Sequence, residues 1–157
     1  MLVSLERDGH RVAALAQATK HGFVFVLDRE TGIPLFPVEE RPAPASDVPG
    51  ERSWPTQPVP LVPPPLVPQR LTDADLFALT PAHLEACRAR LAELRNDGLF
   101  TPPSLRGSVL YPFTGGGANW SGASWDPARQ LLIVPVQNLV HIIQLEQMVL
   151  RVDPLVV

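Results

Sequence analysis

Apolar positions along the chain bunch into short runs bounded by turn residues. Leu2 to Glu6 is a first run, closed by Asp8-Gly9, a dipeptide that favours a tight hairpin. Arg11 to Thr19 follows and is alanine-rich, so periodicity alone allows a helix. Its nine residues lie between two turn signals, which favours a strand. Lys20-His21-Gly22 is the next turn, and Phe23-Val24-Phe25-Val26-Leu27 is the clearest strand because β-branched and aromatic residues fill it. Asp28 to Gly32 turns the chain again. Short strands joined by tight turns predict an antiparallel meander over residues 1–36.

The pattern then changes. Ten of the 19 prolines fall between Pro42 and Pro68. Such a stretch reads either as a flexible proline-rich linker or as an extended loop packed on a surface. Trp54 and the scattered Val and Leu residues favour packing. Thr80 to Asn96 reads as a helix: Thr80 suits the cap, Pro81 the first turn, and Gly98 the stop. Leu84, Cys87, Leu91 and Leu94 form one stripe at helical spacing, with Arg88, Arg90, Glu93 and Arg95 on more exposed faces. Cys87 is therefore a small core residue, not a reactive thiol. Residues 37–106 form a proline-rich and helical insertion, its helix at about 80–97.

Strand signals return over 107–145: Ser108 to Tyr111, Ser121 to Trp125, Leu131 to Val136 and Leu139 to Leu145. The expected fold is mainly all-β. Two four-stranded units separated by an insertion fit two blades of a β-propeller.

Composition narrows the function. Hydrophobic residues make up 45% and charged residues 18%, an ordinary globular balance. A net charge of −3 offers no basic footprint for nucleic acid. There is no apolar run long enough to span a bilayer and no signal-peptide pattern at the N-terminus. One cysteine excludes an internal disulfide and a cysteine-rich metal site. His10, His21, His83 and His141 lack metal-ligand spacing, and adjacent Glu39 and Glu40 point to opposite faces of an extended chain. His141, Asp28, Arg29 and Asp126-Pro127 read as structural.

Four segments, in this order, resemble the PQQ (pyrroloquinoline quinone)-dependent quinoprotein dehydrogenases, in their membrane-type glucose dehydrogenase branch. They are Ala18-Thr19-Lys20-His21-Gly22 with the strand to Gly32; Pro37-Val38-Glu39-Glu40-Arg41-Pro42 with Pro55-Thr56-Gln57-Pro58; Gly98-Leu99-Phe100-Thr101-Pro102-Pro103-Ser104; and Gly115-Gly116-Gly117-Ala118-Asn119-Trp120 with Asp126-Pro127 and Leu131 to Val134. The resemblance covers about residues 3–145; residues 146–157 diverge. It implies an eight-bladed propeller of four-stranded blades, with PQQ on the axis beside a divalent cation, usually Ca2+. It further implies oxidation of a sugar or alcohol hydroxyl, with electrons passed to ubiquinone or a cytochrome at a periplasmic membrane face.

The resemblance places particular residues. Lys20 stands where the family carries a cation at the PQQ edge; the other reading is a turn lysine in solvent. Trp120 would line the pocket floor or pack between blades, and Asn119 would hydrogen-bond a cofactor carbonyl or, the favoured reading, cap its loop. A family asparagine beside PQQ falls at Pro135 here, so Asn138, three residues on, would substitute for it or the contact is lost. No catalytic residue and no metal ligand is assigned to this chain, because the family's catalytic aspartate and most cation ligands are expected upstream of residue 1. The chain is thus expected to be a partial copy of a dehydrogenase, inactive alone and able to associate through exposed blade edges. The alternative is a non-catalytic propeller fragment or protein-interaction module.

Overall fold

The computed structural model describes residues 1–118 and 121–147. The expected meander is present. β1 (Leu2–Arg7), β2 (His10–Ala18) and β3 (Val24–Asp28) form one antiparallel sheet in that order. The alanine-rich segment is strand, not helix. Register explains its composition: Val3 pairs with Ala14, Leu5 with Val12, Ala16 with Val26 and Ala18 with Val24. Strand alternation puts Val3, Ala14, Ala16 and Val24 on one face, where they are buried. Trp125 and Leu132 pack onto that face. The small alanine side chains leave room for the indole. Beyond β3 the chain folds back at Leu27–Pro34 and adds a single bridge in place of a fourth strand.

The proline-rich stretch is neither a linker nor a plain loop. β4 (Val38–Pro42) pairs with β5 (Thr56–Pro60) as an antiparallel hairpin. The prolines are phased to permit this. Leu61 N–H bonds Pro37 O and Ala43 N–H bonds Pro55 O, so odd-numbered pairs carry the ladder. Pro42, Pro58 and Pro60 fall at the alternate positions, where a missing N–H costs no ladder bond. Packing comes from Val59 and Val67, both buried; Trp54, expected to pack, is 73% exposed.

Helix α1 (Pro81–Glu93) starts as expected, with the Thr80 hydroxyl accepting from His83 N–H. It stops before Gly98, because Leu94 turns extended and buried while Arg95 pairs with Ser108. The expected stripe is only half-buried at Leu84, Cys87 and Leu91. Arg95, expected on an exposed face, is 6% exposed. Its guanidinium donates to Asp97 at 2.6 Å and to Ala45 O, and lies 3.6 Å from Asp47. Asp47 in turn accepts from the Ser104 hydroxyl at 2.9 Å. This cluster ties the tip of the β4–β5 hairpin to the segment after α1.

The remaining strands are β6 (Ser108–Leu110), β7 (Ser124–Asp126), β8 (Leu131–Ile133) and β9 (His141–Ile143). They do not form one four-stranded sheet. β6 pairs with β9, and β7 with β8. Val109 of β6 joins Leu71, Leu94 and Tyr111 in a second apolar cluster with Val140, just before β9, packed against it, while β7–β8 supplies the residues that cover the meander. Among the described residues no helix is long and apolar enough to cross a membrane.

Candidate functional site

Lys20 sits at the tip of the β2–β3 turn. Gly22 N–H bonds Thr19 O at 2.9 Å, and Gly22 adopts φ +77°, a conformation that favours glycine. The chain has no other lysine. Lys20 is exposed, and among the described residues its ammonium donates to one partner, the Thr114 carbonyl, at 3.2 Å. No carboxylate among the described residues neutralises it. The glycine run lies directly against this residue. Gly117 N–H bonds Lys20 O at 2.7 Å, and a Cβ on Gly116 would come within 2.8–3.0 Å of Lys20. Bare backbone is therefore required at Gly116, which also holds φ +91°.

The segment after β8 completes the cluster. Gln137 N–H bonds Gly117 O at 2.8 Å, and Phe113 N–H bonds Leu139 O at 3.0 Å. A hollow of 170 Å³ lies among Gly115, Gly116, Gly117, Pro135, Val136 and Gln137. Asn138 is exposed and follows Gln137 at the edge of this cluster. Trp120 and Asn119 lie outside the described residues. Of the residues expected to meet a cofactor, the fold thus brings Lys20 and the Asn138 segment to opposite sides of one glycine run.

A second hollow, of 140 Å³, flanks Lys20 and is lined by His21, Phe100, Tyr111, Phe113 and Thr114. The His21 ring stacks tilted on Phe100 with centroids 4.7 Å apart, and partial burial lowers its pKa from the usual 6.5. Phe100 holds φ +65°, a strained conformation for a bulky residue. His141, expected to be structural, has Nδ1 2.9 Å from the Thr114 hydroxyl and stands edge-on to Phe113. The larger hollow of 570 Å³ lies under the proline-rich hairpin and its lining does not include Lys20. Among the described residues no three His, Cys, Asp or Glu side chains gather as a metal site.

The donor set fits an anionic, oxygen-rich group: an ammonium that no carboxylate among the described residues neutralises, beside backbone that allows close approach. Comparison with known proteins bears on which group. The family described as "Glucose/ethanol/alcohol dehydrogenase, beta-propeller domain", a PQQ family, matches residues 1–151. The chain belongs to that family. It is 42% identical over 128 residues to the glycerol dehydrogenase large subunit of Gluconobacter thailandicus, covering 80% of this chain and 17% of that protein. Against the quinoprotein glucose dehydrogenase of Gluconobacter oxydans the identity is 38% over 141 residues, 89% of this chain and 17% of the relative. Against the quinate/shikimate dehydrogenase (quinone) of Acinetobacter baylyi it is 37% over 139 residues, 88% and 17%. The chain therefore spans 17% of the length of these relatives. No solved structure matches it.

Sequence reasoning missed Phe100 beside Lys20, and Gln69 and Val67, which touch the Lys20 turn through His21 O and Gly22; it also missed the burial of Arg95 in its separate cluster. Gln69 lies in a proline-rich run without periodicity, and Arg95 reads as an ordinary basic residue on a helix. Neither carries a local signal, because each acquires its role from residues far away in sequence.

Proposed function

We propose that this chain is one sector of a PQQ-dependent dehydrogenase propeller and supplies one wall of its cofactor site, with Lys20 facing PQQ. The observation that carries this is the exposed ammonium of Lys20 at the glycine run, which no carboxylate among the described residues neutralises. PQQ, when bound, contributes three carboxylates and an electrophilic ortho-quinone that accepts the equivalent of a hydride from the substrate carbon. Lys20 then binds the anionic cofactor and stabilises negative charge at its oxygens. Trp120 and Asn138 are further cofactor contacts in this reading, Asn138 in the place of the asparagine lost at Pro135.

The substrate of the whole enzyme is a sugar or another polyhydroxylated alcohol, in line with the glycerol, glucose and quinate named for its relatives. Electrons pass to ubiquinone or a cytochrome at a periplasmic membrane face, and a divalent cation, Ca2+, accompanies PQQ. The β1–β3 meander with its added bridge, and the paired strands after the insertion, are parts of two adjoining blades. A second reading is a non-catalytic interaction module, favoured by the exposure of Leu2, Ile33, Leu131 and Ile133.

Titration of the chain with PQQ, followed by quenching of tryptophan fluorescence, tests the proposal. Lys20→Gln is expected to weaken binding about tenfold, and Lys20→Arg to retain most of it. Equal affinity in wild type and Lys20→Gln would remove Lys20 from the site.

A further inference from the structure

The Lys20 turn is held by groups outside its own hairpin. Three successive carbonyls are each fixed by a different donor. Lys20 O accepts from Gly117 N–H at 2.7 Å, His21 O from the Gln69 side-chain amide at 2.8 Å, and Gly22 O from Leu66 N–H at 2.8 Å. Two of the three donors come from Leu66–Gln69, the end of the proline-rich stretch. Gln69 Nε2 also donates to Val67 O at 2.9 Å. Those two acceptors settle the orientation of the amide, leaving Oε1 buried and unpaired.

Val67 adds a steric element. It is 4% exposed. A Cβ on Gly22 would lie 2.4 Å from its Cγ2, and one on Gly117 2.6 Å. Val67 is thus a knob seated on two bare backbones, one in the Lys20 turn and one in the glycine run. It sets the distance between the cation and the loop that faces it. The flanking prolines Pro63, Pro64, Pro65 and Pro68 have fixed φ, so little conformational freedom remains to blur that distance.

We infer that Gln69 and Val67 are positioning residues: they fix Lys20 against the Gly115–Gly117 run, so that the ammonium is presented ready oriented to the anionic cofactor. The inference rests on the reading of Lys20 as the cofactor-facing cation. Donating to two carbonyls from one amide is the reason a glutamine serves here. A glutamate would place an acceptor against acceptors, and a methionine of similar length would offer no donor.

The test uses the full chain labelled with 13C at lysine, which yields a side-chain signal from Lys20 alone, together with amide hydrogen exchange. In Gln69→Met, exchange at Gly117 N–H is expected to rise about tenfold, the scale of a lost hydrogen bond. The Lys20 signal moves toward its value in an unfolded peptide, while Ala14 and Val24 amides in the meander keep wild-type protection. Val67→Ala, which spares the Gln69 hydrogen bonds, produces the same changes in smaller degree. Wild-type exchange at Gly117 and an unmoved Lys20 signal in both variants would overturn the inference. So would loss of Ala14 protection in both, which would make these residues supports of the whole sheet. These readouts need no cofactor. Addition of PQQ to wild type separately reports on the underlying reading, which fails if the Lys20 signal does not respond.

Discussion

Two basic side chains divide the molecule. Arg95 is buried and surrounded by acceptors: Asp97, Asp47 and Ala45 O. Lys20 is exposed and holds one carbonyl. A buried charge is tolerable only when paired and hydrogen-bonded, so the Arg95 region is built to neutralise its cation. The Lys20 region does the reverse. Its neighbours are glycines, prolines, aromatic rings and backbone carbonyls, and they order the turn without cancelling its charge. The first arrangement meets its charge with two carboxylates, although Arg95 Nη1 finds no hydrogen-bond partner among the described residues; the second leaves an electrostatic demand that a ligand can meet.

The contrast is strongest in stability. Arg95→Leu is expected to cost about 3 kcal/mol, the low end for breaking a buried ion pair because Asp47 and Asp97 are partly solvated. Urea denaturation measures it, and faster proteolysis at residues 44–53 should accompany it as the hairpin tip comes loose. A loss under about 0.5 kcal/mol would put Arg95 in the class of ordinary surface charges and erase the contrast. Next comes Gly22→Ala. Left-handed backbone strain and overlap with Val67 together cost about 2 kcal/mol. Adding Val67→Ala should return part of that loss, a coupling that a double-mutant cycle reads directly. Strict additivity would mean that the two residues do not touch.

Acidification sharpens the comparison on the Lys20 side. Burial lowers the pKa of His21 in the folded chain, so the unfolded chain takes up the proton first as pH falls through 6.5. Stability is therefore full above that pH, declines below it, and levels off once pH passes the folded value. Denaturation midpoints in wild type and His21→Phe check this, the variant losing that part of the decline. The smallest effect belongs to Lys20→Ala. With one exposed hydrogen bond at stake, thermal stability should change by less than about 0.5 kcal/mol. A large loss would mean that Lys20 holds the fold, not a ligand.

Which features could be read in advance follows from where their causes lie. The meander was legible because its causes are local: Asp8-Gly9 turns the chain, and Phe23 to Leu27 can hardly be anything but strand. The start of α1 was legible for the same reason, since Thr80 and Pro81 carry the cap themselves. Its end was not, because Leu94 leaves the helix to be buried and Arg95 to pair with Ser108, thirteen residues on. The β4–β5 hairpin was obscured by a general rule that proline breaks ladders. The alternation Pro58-Val59-Pro60 does carry the two-residue period that lets prolines occupy the unbonded sites. At the candidate site, Lys20 and the glycine run were visible from their resemblance to a family. Gln69 was not, because a glutamine that satisfies two carbonyls across a fold has no mark in its own neighbourhood.

The same split applies to the sheets. Strand positions in residues 108–143 were close to those observed, but the pairing of β6 with β9 is long-range, whereas β7 and β8 pair as neighbours in sequence. Hydrophobic pattern locates a strand; it does not name its partner.

In the proposed reading, Lys20 is a cation left open for an anionic cofactor. Its most direct test is titration of the 13C-lysine-labelled chain with PQQ. The Lys20 side-chain signal is expected to shift and saturate with PQQ, and Lys20→Gln to lose most of the affinity seen by fluorescence. A Lys20 signal that stays in place while PQQ saturates the chain elsewhere, or throughout a titration without binding, would contradict it.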